Sequence, residues 1–500
     1  MNNIRAGLKG SAYLIGGHMK IKLYPHQKEA LAKLKKRKTY ALFMEQGTGK
    51  TLTMIMHLKR LVEKKNVRRV LVFAPTAVLD NWEEELNKFT PGLFEILNFQ
   101  GKKDKRQEIF KEFNKPSNKP KVLIINYEKA DRELKTLKKY KPEVLICDES
   151  QKVKNPQAKA SKRIFTIAKD TERRYLLTGT PISKGYEDIF SQFKIMKPEL
   201  LGTSWREFEE EHIIKGGYMN REIKGYKHKK KLQKIIDKNS YKVKKADCLK
   251  LPPVTEQDVK CELAPKARKM YNQLDKEMYL ELEAIGIDIK EAKKLLKDNG
   301  VKVNRSDSAI KILHQASKFS STYEVALDLA LTKNSKLQQI CGGFLKVEEE
   351  ELFIDSGKIK ALEELIETSP LPVVIFCNYR AELTLIRSTL TKKKLKVTEL
   401  SGSTKNKGKV VQDFQKGMYD IIIVQIAAGS AGITLTRSST MIFYSWNYRY
   451  IDYSQAKARI DRIGQVNPVN IYYLVTRDTV DEHILEVLRD REKLAEKIMK

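Results

Sequence analysis

The sequence predicts an α/β protein made of two parallel-sheet lobes in tandem, with helical insertions. Short β-branched runs recur in two separate blocks of the chain, with stretches long enough for helices between them. Those runs barely alternate between apolar and polar residues, which is how strands covered on both faces read. The chain is also 500 residues long, whereas a single hydrophobic core stops growing at about 250–300 residues.

The first block contains YALFM (40–44), RVLVFAP (69–75), KVLIIN (121–126), EVLICDE (143–149) and RYLLTG (174–179). The second contains PVVIFCN (372–378), YDIIIVQ (419–425), TMIFYSW (440–446) and NIYYLVT (470–476). Between about 200 and 345 strand runs are few and helix formers many, and residues 224–250 hold eleven Lys against two Asp. The consecutive prolines of LPP (251–253) resist helix and mark a linker. The expected division is a first lobe with a helical extension over 19–250, a linker with a helical insertion over 251–354, and a second lobe over 355–500. Residues 1–18 are set aside, because Gly16-Gly17-His18-Met19 reads as a cloning junction and the stretch lacks the order of a secretion signal.

Composition narrows the function. Hydrophobic residues at 41% and charged residues at 32% describe a chain that can bury a core. Apolar stretches such as Ile421–Val424 fall far short of the roughly 20 residues a bilayer crossing needs. Ninety-six Lys and Arg against 63 Asp and Glu leave a net charge of +33, a field that captures polyanions, nucleic acid before anionic membrane. The five cysteines are odd in number, spread out and never in a Cys-x-x-Cys pair, which argues against both a disulfide framework and a zinc site and for a reducing, intracellular compartment.

Three segments carry chemistry. EQGTGKTL (45–52) lies between an apolar run and a helical pattern. A strand, a glycine turn and a helix N-terminus make a phosphate cradle: Gly47, Thr48 and Gly49 bring backbone N–H groups close, Lys50 neutralises the terminal phosphates, and Thr51 ligates Mg²⁺. Met44 stands where the full pattern has its first glycine. The acidic pair Asp148–Glu149 ends a strand, where one carboxylate can hold Mg²⁺ and the other can activate water. In QAKARIDRIGQ (455–465), Arg459 and Arg462 are three apart and would share a face of a helix. Arginines from a second lobe would stabilise a transferring phosphoryl group only when the lobes close.

These segments resemble the superfamily-two helicases, and within them the Swi/Snf family of helicase-like double-stranded DNA translocases. The resemblance also rests on LYPHQKEAL (23–31), VLVFAPTAVLDNW (70–82), IINYE (124–128), DESQKVKN (148–155), LLTGTPIS (176–183), SGK (356–358), VVIFCNYR (373–380), SGST (401–404), AGSAGITLT (428–436) and SWN (445–447). It implies two RecA-like lobes, an adenine-reading role for Gln27, and coupling of nucleotide state to DNA through Thr178 and Thr180. It further implies phosphate-backbone contacts near Pro75, Thr76, Ser401 and Gly402, and inter-lobe positions for Gly429, Gly432 and Gln455. Gln151 replaces the family's usual histidine, Thr434 its asparagine and Ser445 its aspartate; Trp446 would either support the inter-lobe joint or pack into the core.

The expected protein is therefore an ATP- and Mg²⁺-dependent ATPase, a monomer that tracks along double-stranded DNA without reading sequence. It looks like a bare motor of the compact bacterial, archaeal or phage type, acting in the cytoplasm. The alternatives are a strand-separating DNA or RNA helicase and a nucleic-acid-binding scaffold with a vestigial ATPase.

Overall fold

The structure is a computed structural model and describes residues 13–15, 18–101, 103–216, 222–284, 287–301, 303, 309–317, 320, 323, 334–348, 350–429 and 432–499. Strands β1 (Tyr13–Ile15) and β2 (His18–Lys20) pair antiparallel, so part of the stretch set aside as a remnant does form structure.

The first lobe contributes β3 (Thr39–Met44), β4 (Arg69–Ala74), β5 (Glu95–Asn98), β6 (Lys121–Asn126), β7 (Val144–Asp148) and β8 (Arg173–Thr178). Beyond it lie the hairpin β9 (Ile213–Gly216) and β10 (Glu222–Tyr226), then β11 (Ser240–Val243). The seven-stranded sheet runs β11-β3-β8-β7-β4-β6-β5 and is parallel throughout. Along β4, Val70, Val72 and Ala74 face one core while Leu71 and Phe73 face the other. Burial on both faces is why the sequence here shows no alternation.

The second lobe holds β12 (Val254–Cys261), the hairpin β13 (Phe344–Val347) and β14 (Glu350–Phe353), then β15 (Val373–Cys377), β16 (Val397–Leu400), β17 (Ile421–Gln425), β18 (Thr440–Phe443) and β19 (Val469–Thr476). Its six-stranded sheet, β12-β19-β18-β15-β17-β16, is again parallel. Two strands differ from the sequence reading. β11, in the lysine-rich segment read as helical, is an edge strand of the first sheet, and β12, assigned to the linker, is an edge strand of the second. Edge strands tolerate polar residues because one side of the ladder meets water, and the TEQD run in β12 is largely exposed.

Only residues 244–253 separate the two edge strands. The last helix, Val480–Met499, belongs to the second lobe but packs Leu494 and Met499 against the first lobe's core. Among the described residues no helix is long and apolar enough to cross a membrane.

Candidate active site

Because the first sheet is parallel, its strands deliver their following loops to one edge, where ligand sites in such sheets form. The loop after β3 carries Gly47 and Gly49 at φ +82° and +83°, a left-handed backbone that glycine adopts at no steric cost. Helix Lys50–Lys65 starts immediately afterwards, so its free N–H groups face the cleft. Lys50 Nζ donates to the carbonyls of Met44 at 2.8 Å and Glu45 at 3.4 Å. Burial pulls the Lys50 pKa down, against the opposing pull of Glu149, Asp148 and Glu45. Gln46 is buried beside it, and neither end of its amide has a hydrogen-bond partner. Thr51 lines the cleft with Lys50. Thr48 does not; its hydroxyl donates to Glu45 O and its own carbonyl accepts from Gln27 Nε2. Gln27 lines the cleft, fixed at its other end by the N–H of Tyr24.

Strand alternation places the acidic pair. Val144 and Ile146 of β7 face the core that contains Trp82, so Asp148, two residues on, lies on the same face. Trp82 Nε1 donates to Asp148 Oδ2 at 2.8 Å and the Glu149 N–H donates to Oδ1 at 2.9 Å. Burial first, then the adjacent Glu149 charge, pushes the Asp148 pKa up to about 6. Glu149 sits at φ +50°, a conformation uncommon outside glycine and one that clusters at functional sites. Its carboxylate accepts from Gln151 Nε2 at 2.6 Å; Gln151 Oε1 accepts from Thr178 Oγ1 at 2.6 Å, and Thr178 Oγ1 accepts from the N–H of Thr180 at 2.9 Å. This unbroken chain joins the acidic pair to the loop after β8.

The opposite wall comes from the second lobe, where Arg459, Arg462, Gly432 and Gly464 line the same cleft of about 480 Å³ as Lys50, Asp148 and Glu149. The two arginines do not share a helix face as expected. Helix Tyr450–Lys457 ends before them, because the chain turns away so that the Arg459 carbonyl can accept from the N–H of Leu435 at 3.0 Å. Both guanidinium groups nevertheless converge, each donating to Ile433 O, at 3.4 Å from Arg459 and 3.2 Å from Arg462. Burial, with Arg462 beside it, lowers the Arg459 pKa to about 10.

The lobes touch at glycines. A Cβ on Gly47 would stand 3.0 Å from Arg462 Cβ, and one on Gly432 would stand 2.3 Å from Asn81 Nδ2. Asn81 donates to Gly432 O at 3.3 Å.

Several groups here were not singled out by role from the sequence. Trp82 and Asn81 were marks of resemblance only, and the period of β7 was the signal that tied Trp82 to Asp148. Glu85 lines the cleft with its pKa pushed up to about 7, by burial first and then by Asp148. Lys245, in the connection between β11 and β12, pairs with Asp461 between the two arginines and with Glu45 before the P-loop.

Other expected positions fall elsewhere. Gln455 is buried on helix Tyr450–Lys457, outside the residues lining the cleft; its neighbour Ser454 faces a second inter-lobe cavity instead, one residue being a rotation of about 100°. Gly429 packs against Val424 and Phe376 in the second lobe's core. Trp446 also joins that core, edge-on to Tyr473, rather than the inter-lobe joint. Pro75 and Thr76 follow β4, with Asn126 Nδ2 donating to Thr76 Oγ1 at 2.8 Å, and Ser401 and Gly402 follow β16. Both pairs thus sit at the carboxyl ends of strands, one in each lobe.

A phosphate loop and an acidic pair on one lobe, facing two arginines on another, define a two-lobed P-loop nucleoside-triphosphatase core. The comparisons with known proteins agree. The chain belongs to the SNF2-related family: the SNF2-related domain matches residues 26–326 and the helicase conserved C-terminal domain matches residues 357–464. It is similar to the human DNA repair and recombination protein RAD54B, 27% identical over 93% of this chain and 53% of that protein. It is also similar to the ATP-dependent DNA helicase DDM1 of Arabidopsis thaliana, 26% identical over 90% of this chain and 58% of that protein. The chain thus spans little more than half the length of these curated relatives. Among solved structures, the Sulfolobus solfataricus SWI2/SNF2 ATPase core in complex with dsDNA matches at 25% identity and a TM-score of 0.42, covering 96% of this chain and 93% of that one.

Proposed function

We propose that this chain is an ATP-dependent translocase on double-stranded DNA, of compact bacterial or phage type, acting as a monomer in the cytoplasm. The observation that carries the reading is that Arg459 and Arg462 line one cleft with Lys50, Asp148 and Glu149. With three of these charged groups on the first lobe and two on the second, turnover depends on the lobes meeting, and each meeting advances the grip on the polymer.

The residues fit a magnesium nucleotide. Asp148, buried and beside the charge of Glu149, is pushed up to about 6, and Gln46 offers an unpaired amide to a polar ligand. Thr51 and Asp148 would hold Mg²⁺, which neutralises phosphate charge when bound. The chain's own groups do the rest. Amides of residues 47–51 and Lys50 bind the phosphates, Glu149 orients water and accepts its proton, and the arginines meet the charge that develops on the transferred group. The hydrogen-bonded chain through Gln151, Thr178 and Thr180 supports coupling of this chemistry to the rest of the first lobe.

Nucleic acid as the track is supported by the net charge of +33, and DNA by what the relatives' names state of those proteins. Backbone contacts through Pro75, Thr76, Ser401 and Gly402 would carry affinity without base information. A single chain supplying both walls of the cleft supports the monomer, and five free cysteines support a reducing compartment.

The test compares ATPase rates on duplex DNA, single-stranded DNA and RNA, with a triplex-displacement assay for tracking. Duplex DNA is expected to stimulate most and the third strand to be displaced. Equal stimulation by single strands together with fork unwinding would replace the reading with a strand-separating helicase. If about six phosphates are neutralised, affinity falls roughly a thousandfold between 50 and 200 mM salt.

A further inference from the structure

Away from the cleft, the extension of the first lobe gathers a second set of chemically able side chains. Helix Trp205–His212 runs directly into β9, and β10 leads to His228, which starts helix Lys229–Asn239. Pairing of Tyr226 with Ile213, and the Lys227 N–H donating to His212 O at 2.8 Å, bring the end of one helix beside the start of the next. One ligating atom each from Glu211, His212 and His228 thereby lies within 4.8 Å of the other two.

Two independent observations make this more than proximity. His212 is fully buried, yet neither ring nitrogen has a hydrogen-bond partner, and its Nε2 stands 3.6 Å from Glu211 Oε2. Two bonds of about 2.05 Å at a tetrahedral zinc hold their donor atoms ~3.3 Å apart, so this pair is close to ligand spacing. His228 Nδ1 lies 3.0 Å from Glu211 O. Donation of its proton to that carbonyl leaves the lone pair on Nε2, the arrangement that orients histidine ligands in metal sites. The Glu211 carboxylate also pairs with Lys231. Lys231 would share that carboxylate with an ion. The cysteine pattern gave no hint of such a site, because its donors are imidazole and carboxylate.

We propose that Glu211, His212 and His228 form a site for one divalent ion of the zinc class, completed by water, which ties the β9–β10 hairpin to the helices on either side. The ion would be structural, separate from any Mg²⁺ in the nucleotide cleft.

The test uses the full chain. Protein is stripped with chelator, titrated with Zn²⁺ and, in parallel, with Co²⁺, desalted and assayed for bound metal, and melted with and without Zn²⁺. The variants are His228→Asn, in which asparagine tolerates the positive φ of this exposed position, and Glu211→Gln. Wild type is expected to retain about one zinc per chain, to show cobalt absorption from a low-symmetry site, and to melt higher with Zn²⁺. Both variants should bind about a hundredfold more weakly and lose the melting shift, with duplex-stimulated ATPase in Mg²⁺ retained. Equal zinc retention, or an equal melting response, in wild type and His228→Asn would overturn the site, as would no retention by wild type.

Discussion

The two walls of the nucleotide cleft are built by different means. On the first lobe each charged group stands at or just past the end of a strand whose last residues are sealed in the core: Met44, Cys147 and Leu177 are all fully buried. Lys50, Glu149 and the threonines therefore inherit their positions from the sheet. On the second lobe the arginines lie in turns beyond a helix end, located by hydrogen bonds to Ile433 and Leu435 in a neighbouring loop and by glycine contacts with the first lobe. One wall is held rigidly by the sheet, and the other is set by loop contacts. On the proposed function, ground-state binding would fall mainly to the first and the timing of turnover to the second.

The contrast can be broken most directly at the arginines. Arg459→Ala or Arg462→Ala is expected to lower kcat by about 10³–10⁵ while nucleotide affinity, read by titration with a fluorescent ATP analogue, stays within a few-fold. A parallel loss of affinity would show that the second wall also binds the ground state. Glu149→Gln on the rigid wall should cost about 10²–10⁴ in kcat with ATP binding intact, measured by single-turnover hydrolysis. Unchanged hydrolysis would remove Glu149 as the base.

Gln151→Ala severs the chain from Glu149 to Thr178. It should reduce stimulation by duplex DNA about tenfold and leave the DNA-free rate nearly unchanged, which separates coupling from chemistry in one rate comparison.

The smallest effect concerns stability. Asp148 has its folded pKa raised from 3.8 to about 6, so the folded state holds a proton that the unfolded state releases. Its contribution is most favourable at low pH and is lost as pH rises through that window. Asp148→Asn does not titrate. Asparagine turns its NH₂ toward one of the two donors that Asp148 accepts from, a fixed cost at every pH, but the stability of the nucleotide-free variant relative to wild type should rise by at most about 3 kcal/mol from pH 4 to above pH 7. Thermal melts across pH read this, and a pH-independent difference would contradict it.

How much could be read in advance follows the same division. EQGTGKT and EVLICDE were legible because a buried strand and the residues after it are contiguous, so local pattern fixes both fold and chemistry. The segment holding the arginines was legible, but its conformation was not: three-residue spacing suggested a helix face, and a long-range bond to Leu435 ended the helix first. β11 and β12 were missed because lysines and TEQD read as solvent-facing, which edge strands allow. Trp82, Lys245 and the Glu211–His212–His228 cluster act through partners distant in the chain, and one sequence alone does not display those pairings.

The short connection between the two edge strands has a further meaning. From Val243 to Val254 the chain advances eleven residues, a reach of at most ~36–40 Å when fully drawn out. However wide the halves swing, each keeps its counterpart at a local concentration in the millimolar range. Their reunion is then a first-order event whose frequency ignores dilution.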